Sequence, residues 1–97
     1  MGKGTPETAV HLRISGRVQN VWYRGWLAEL ADSARIRGWV RNRSDGTVEA
    51  LLIGPESLVQ DVAGRCRSGP RAAVVDKVRA TPGRDDGSAG FRLRPTV

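Results

Sequence analysis

Between Ile14 and Tyr23 the spacing of apolar residues changes from every second position to a helical interval. That change constrains the architecture more than any other feature of the chain. Upstream, Val10, Leu12 and Ile14 alternate with His11 and Arg13, the pattern of a strand with one buried face. Downstream, Trp22, Tyr23, Trp26, Leu27, Leu30, Ala31 and Ala34 share one side of a helix expected over 22–34. The junction reads S-G-R-V-Q-N-V-W-Y-R, from Ser15 to Arg24. Gly16 and Asn20 tolerate unusual backbone dihedrals, and Asn20 also suits an N-cap. With Arg17 and Arg24 beside it, a loop feeding a helix N-terminus is suited to an anion.

The rest of the chain continues the alternation. A second strand is expected over 37–42. Ser44-Asp45-Gly46 then makes a hairpin turn into a third strand over 47–53, with Val48, Ala50 and Leu52 on one face. Gly54-Pro55 breaks that strand, and Ser57-x-x-Gln60 has the form of a capping box opening a second helix. Leu58, Val59, Val62, Ala63 and Cys66 form its apolar stripe. A fourth strand is expected over 74–80, a mobile loop over 82–89, and a short last strand at Phe91 and Leu93. The order is βαββαβ plus a short C-terminal strand. It predicts an α+β fold, the ferredoxin-like split β-α-β sandwich, with two helices packed on one face of an antiparallel sheet. Residues 1–7 read as a flexible leader and 8–97 as the domain.

Ninety-seven residues suit one domain with a modest core. No stretch is long and apolar enough for a membrane helix, and residues 1–8 hold no secretory signal, so no membrane partner is expected. The lone Cys66 excludes an internal disulfide and is consistent with a cytoplasmic protein. It reads as a core residue, and His11 as a strand-surface residue. No metal cluster is readable, and no cofactor is implied. The formal net charge of +6, almost all the cations being Arg, favours a phosphate-bearing partner. Trp22 and Trp26 fit the buried stripe and are assigned to the core.

Topology brings two distant residues together. A right-handed crossover through the first helix makes strands one and two parallel, and the hairpin places strand three between them. Their C-terminal ends then share one edge of the sheet. Asn42, on the same face as the core residue Val40, is thereby aimed toward the helix side, where Arg24 starts. Gly16, Arg17, Val18, Gln19, Asn20 and Val21 form the anion loop. Arg24 supplies a cationic fork, and Asn42 can hold a water in line for attack on phosphorus. No Ser-His-Asp set, no paired carboxylates and no metal cluster can be placed there. A reaction would rest on positioning and electrostatics, and on a substrate with a good leaving group such as a carboxylic–phosphoric anhydride.

At these residues the sequence resembles the acylphosphatase family. Gly16 to Arg24 is similar to the family's G-x-V-Q-G-V-x-F-R signature. Gly38-Trp39-Val40-Arg41-Asn42, continuing through Gly46 and Val48 to Gly54, is similar to its second signature, G-W-V-x-N-x-x-x-G-x-V. Gly69-Pro70 and Val75-Asp76-Lys77-Val78 also look like the family's pattern, so the resemblance spans about residues 8–95. It implies hydrolysis of acyl phosphates to a carboxylate and orthophosphate, with no metal or cofactor. Arg24 falls at the family's phosphate-binding arginine and Asn42 at its water-orienting asparagine. The implied partners are a small-molecule acyl phosphate and, as product-like ligands, phosphate or sulfate. A monomer is expected.

Two positions depart from the pattern: Asn20 stands where the family has Gly, and Tyr23 where it has Phe. Asn20 puts a side chain at the loop's rim and raises a second reading, a phosphate-binding module with weakened catalysis. A third reading, a ferredoxin-like nucleic-acid binder, rests on charge alone. It is disfavoured because only Trp39 could offer a base a stacking surface on the sheet.

Overall fold

A computed structural model describes residues 6–97. The elements follow the periodicities of the sequence: β1 (Glu7–Arg17), α1 (Tyr23–Ser33), β2 (Arg37–Asn42), β3 (Val48–Pro55), α2 (Glu56–Arg65), β4 (Val74–Pro82) and β5 (Phe91–Leu93). The strands form one sheet in the order β4-β1-β3-β2-β5. Every pairing is antiparallel except β2 with β5, which is parallel, so the sheet is mixed at that edge. α1 lies over β2 and β5, and α2 over β1 and β3. This is the ferredoxin-like α+β arrangement, and β3 sits between β1 and β2 as the topology required. Of the expected leader, residues 1–5 lie outside those described, and Glu7 already pairs with Pro55 in the sheet.

The core lies between the helices and one face of the sheet. Leu12, Ile14, Val40 and Leu52 meet Leu27 and Val59 there, all fully buried. Each side chain of this size contributes roughly 1.5–3 kcal/mol through removal from water. Cys66 is buried among them and unpaired. Burial pushes its thiol up to about 12, so it is inert packing material.

The central strand β3 is buried along both faces. Val48, Ala50 and Leu52 face the helices, as expected, while Leu51 and Ile53 join Trp39 in a small second cluster on the opposite face. The segment after β4 covers part of that face and is tied down, in contrast to the mobile loop expected there. Arg37 pairs with Asp85 and donates to the Ser88 carbonyl, and the Trp39 indole N–H donates to Asp86 (3.1 Å).

Both helix starts differ from expectation. β3 runs through Gly54 to Pro55 and turns directly into α2. Pro55 therefore occupies the N-cap, with no side-chain cap, and Ser57 lies inside the first turn. Glu56 there favours the positive end of the helix and also accepts a hydrogen bond from Gln60. Leu58 is 40% exposed, outside the stripe assigned to it. The start of α1 bears on function.

Candidate functional site

The path from β1 into α1 is set by three backbone irregularities. A bulge between Ser15 and Gly16 shifts the pairing with β4. Gly16 sits at φ +122°, and a Cβ there would fall 2.2 Å from the Val74 carbonyl oxygen, so only glycine permits this approach. Asn20 and Trp22 then both adopt the left-handed region, at φ 63° and 66°. Asn tolerates that geometry. For a bulky tryptophan it is strained, at a cost of order 1–3 kcal/mol.

Trp22, and not Asn20, is the N-cap of α1. The first helical bond runs from the Trp26 N–H to the Trp22 carbonyl (3.0 Å). The N–H groups ahead of it have no helical acceptor, no side chain caps them, and no acidic residue occupies the first turn. This helix start therefore combines open donors with an uncompensated positive dipole end.

Two contacts hold the loop in place. Val18 is buried in the core. Gln19 turns away from the helix start, and its Nε2 donates to the carbonyls of Arg43 (2.8 Å) and Thr47 (2.9 Å) at both ends of the β2–β3 hairpin. It braces the loop against the strand that carries Asn42. Tyr23 locks the first turn from below: its hydroxyl is buried and donates to the Cys66 carbonyl (2.6 Å) at the end of α2. The hydroxyl that distinguishes it from Phe thus has a partner. Burial, with Cys66 adjacent, pushes its ionisation far above the usual phenol range.

A cavity of about 290 Å³ opens at this helix start. Val18, Asn20, Trp22, Tyr23, Arg24, Gly25, Asn42 and Leu93 line it. Arg24 and Asn42, 18 positions apart in the chain, therefore face one space. Arg24 is half-buried, and no hydrogen bond or ion pair engages its guanidinium among the described residues. The Asn42 Oδ1 is shielded from solvent and has no hydrogen-bond partner. Such an atom costs about 1–3 kcal/mol in a folded protein, so the site holds an acceptor in reserve. No carboxylate, imidazole or thiol lines the cavity, and no three His, Cys, Asp or Glu residues cluster as metal ligands among the described residues.

Of the other loop residues, Val18 and Asn20 line the cavity, whereas Gly16, Arg17, Gln19 and Val21 do not. Arg17 is exposed at the end of β1. The placement of Trp22 in the buried stripe is corrected. It is 59% exposed, and its indole lies across the first turn of α1, where a Cβ on Gly25 would come within 2.1 Å of Nε1. Trp26 does pack against the core, edge to face with Tyr23 at 5.3 Å. Leu93, 56% exposed, also lines the cavity. It reaches the site because β5 pairs in parallel with β2, with Leu93 opposite Val40. Periodicity missed Trp22 because an N-cap residue lies one position outside the helix whose apolar spacing it continues. Nothing local to Leu93 signals its partner strand.

Comparison with known proteins matches the acylphosphatase family model over residues 10–93. An acylphosphatase of Rhodospirillum rubrum is 51% identical over 86 residues, 89% of this chain and 94% of that protein. Among solved structures, an acylphosphatase from Coxiella burnetii superposes with a TM-score of 0.87 at 31% identity, covering 91% of this chain and 93% of the other. One from Bacillus subtilis gives 0.84 at 32%, covering 89% and 97%.

Proposed function

The chain belongs to the acylphosphatase family and hydrolyses the carboxyl–phosphate bond of acyl phosphates, and from that premise we propose that Arg24 and the N-terminus of α1 hold the phosphoryl group while Asn42 holds the attacking water. The observation that carries this reading is the single cavity shared by an unpaired guanidinium, an open helix start and a shielded amide oxygen without a partner.

The chemistry suits a site without acid or base. Water adds to phosphorus as the bond between phosphorus and the bridging oxygen breaks. An acyl phosphate dianion and water become a carboxylate and dihydrogen phosphate, so charge and protons balance. The departing carboxylate needs no proton, because the pKa of its conjugate acid, about 4, lies well below neutral pH. With no carboxylate, imidazole or thiol lining the cavity to act as a general base, the proton of the attacking water passes to a phosphoryl oxygen. Arg24 lies close enough to the helix start to gather charge that spreads over those oxygens in the transition state. Asn42 Oδ1 accepts a hydrogen bond from the water and fixes its line of approach.

Trp22 and Leu93, both exposed, offer apolar surface in the lining of the cavity. They suit an acyl group with an aromatic or branched body. The cavity is completed within one chain, which supports a monomer as the working unit. The buried, unpaired Cys66 supports a reducing compartment such as the cytoplasm. No helix among the described residues is long and apolar enough to cross a membrane.

The test is benzoyl phosphate hydrolysis. Arg24→Ala is expected to lower kcat/KM by roughly 100-fold or more, with a rise in KM, and Asn42→Ala to act mainly on kcat by a similar factor. Trp22→Gly, which keeps the left-handed backbone, should raise KM for benzoyl phosphate more than for acetyl phosphate. Variants at Arg24 or Asn42 that match the parent would overturn the assignment.

A further inference from the structure

The sheet face turned away from the helices carries a second polar cavity, of about 450 Å³, over β1 and β4. His11, Arg13 and Ser15 line it from β1, and Lys77, Arg79 and Thr81 from β4. The register places Arg13 directly opposite Arg79, Ser15 opposite Lys77 and His11 opposite Thr81. Like charges facing each other across an antiparallel pair destabilise it. This pair stands beside a third cation, and no carboxylate lines the cavity.

The nearby acids do not neutralise it. Glu49, across β1 from Arg79's side, is taken up by His11 (2.6 Å), Arg41 (2.8 Å) and Arg43 (2.8 Å). Asp45 reaches Arg13 through one nitrogen only, at 3.3 Å. Asp76, next to Lys77, lies against Gly16 at the bulge. No partner engages Lys77 or Arg79 among the described residues, and the Arg13 Nε is shielded from solvent with no acceptor. A shielded cationic N–H without an acceptor and an opposed arginine pair are two independent costs that one anion would relieve.

We propose that this cavity is a binding site for a ligand carrying two or more linked phosphates, separate from the acyl phosphate site. Three cations and the hydroxyls of Ser15 and Thr81 can all donate to phosphate oxygens. They occupy successive outward positions on the strands, roughly 7 Å apart. That span suits a chain of phosphates better than a single one. A nucleic-acid strand is the poorer occupant, because among the described residues no Phe, Tyr or Trp lines this cavity and Trp39, on the same sheet face, is already engaged. The Trp39 ring is flanked by the guanidinium groups of Arg41 (4.7 Å) and Arg94 (5.3 Å), and its indole N–H is held by Asp86.

The test is calorimetry with inorganic tripolyphosphate, with orthophosphate and citrate as comparators. In the Arg24→Ala background, which disables the substrate site, tripolyphosphate should bind one to one and about tenfold or more tighter than either comparator. Lys77→Ala and Arg79→Thr in the full chain should each weaken that binding by about tenfold, with benzoyl phosphate turnover within about twofold of the parent. Tripolyphosphate should also raise the Tm of the parent and leave that of Arg79→Thr nearly unchanged. Loss of tripolyphosphate binding in Arg24→Ala would place the ligand in the substrate site and overturn the proposal. Undiminished binding by Lys77→Ala and Arg79→Thr, or equal binding of citrate, would do the same.

Discussion

Asn20 shows how one side chain can preserve a backbone while changing what lines the cavity. At φ 63° it adopts the geometry that glycine would supply without cost, so the loop keeps its path into α1. Its side chain, however, stands exposed at the rim beside Arg24. We expect Asn20→Gly to shift phosphate affinity or benzoyl phosphate kinetics by a few-fold without unfolding the protein. Inhibition by orthophosphate together with kcat and KM reads this directly, and unchanged values would show that the side chain is inert. Tyr23 makes the contrast. Its extra hydroxyl is turned into the core and satisfied by the Cys66 carbonyl, so it alters the packing of α1 against α2 and not the cavity.

Among the elements, the β2–β3 hairpin and the loop after β1 act as one unit because Gln19 joins them. Its amide bonds both carbonyls that flank the turn, so the loop leading into α1 and the strand presenting Asn42 are fixed relative to each other. Removing the side chain leaves the two carbonyls only their backbone donors, Gly46 N–H and Arg43 N–H, and loosens that relation. Gln19→Ala is expected to cost about 1–2 kcal/mol of stability, read by urea unfolding. It should also lower kcat by about tenfold with a smaller change in KM, because misplacement of the water penalises the transition state most. A variant with lower stability but parental kcat would confine Gln19 to a structural role. The arrangement of the elements was readable from alternation and helical spacing. Their ends were not: the residue that caps α1 and the one that opens α2 depend on where β1 and β3 stop hydrogen-bonding to neighbours far away in sequence.

For the molecule as a whole, the sheet face opposite the helices carries a strongly shifted carboxylate, Glu49, through which acid can act on stability. Glu49 is buried, which opposes its ionisation, but hydrogen bonds from His11, Arg41 and Arg43 outweigh burial and hold it down at about 2, against an ordinary value of 4.5. Its folded-state value is thus the lower one, and the unfolded chain takes up the proton first as pH falls. The resulting stabilisation, roughly 1–3 kcal/mol, is complete above about pH 4.5 and is lost as pH falls toward about 2. Glu49→Gln should be less stable at neutral pH and should show a shallower loss between those limits. Urea midpoints at a series of pH values check this, and parallel curves for variant and parent would exclude Glu49 as the main acid-sensitive group.

The sequence alone determined the order of elements and the approach of Arg24 to Asn42, because each rests on local periodicity or on a connection rule with few alternatives. It also carried the family resemblance, since both signatures are contiguous. Tertiary structure decided the rest. Trp22 leaves the core because the chain is left-handed there, and Leu93 joins the site because β5 pairs in parallel with β2. Glu49 collects three cations, and Arg13 faces Arg79, only through strand register. Such pairings depend on which strands become neighbours, and that is settled by the burial of the whole sheet against its two helices and not by any one segment.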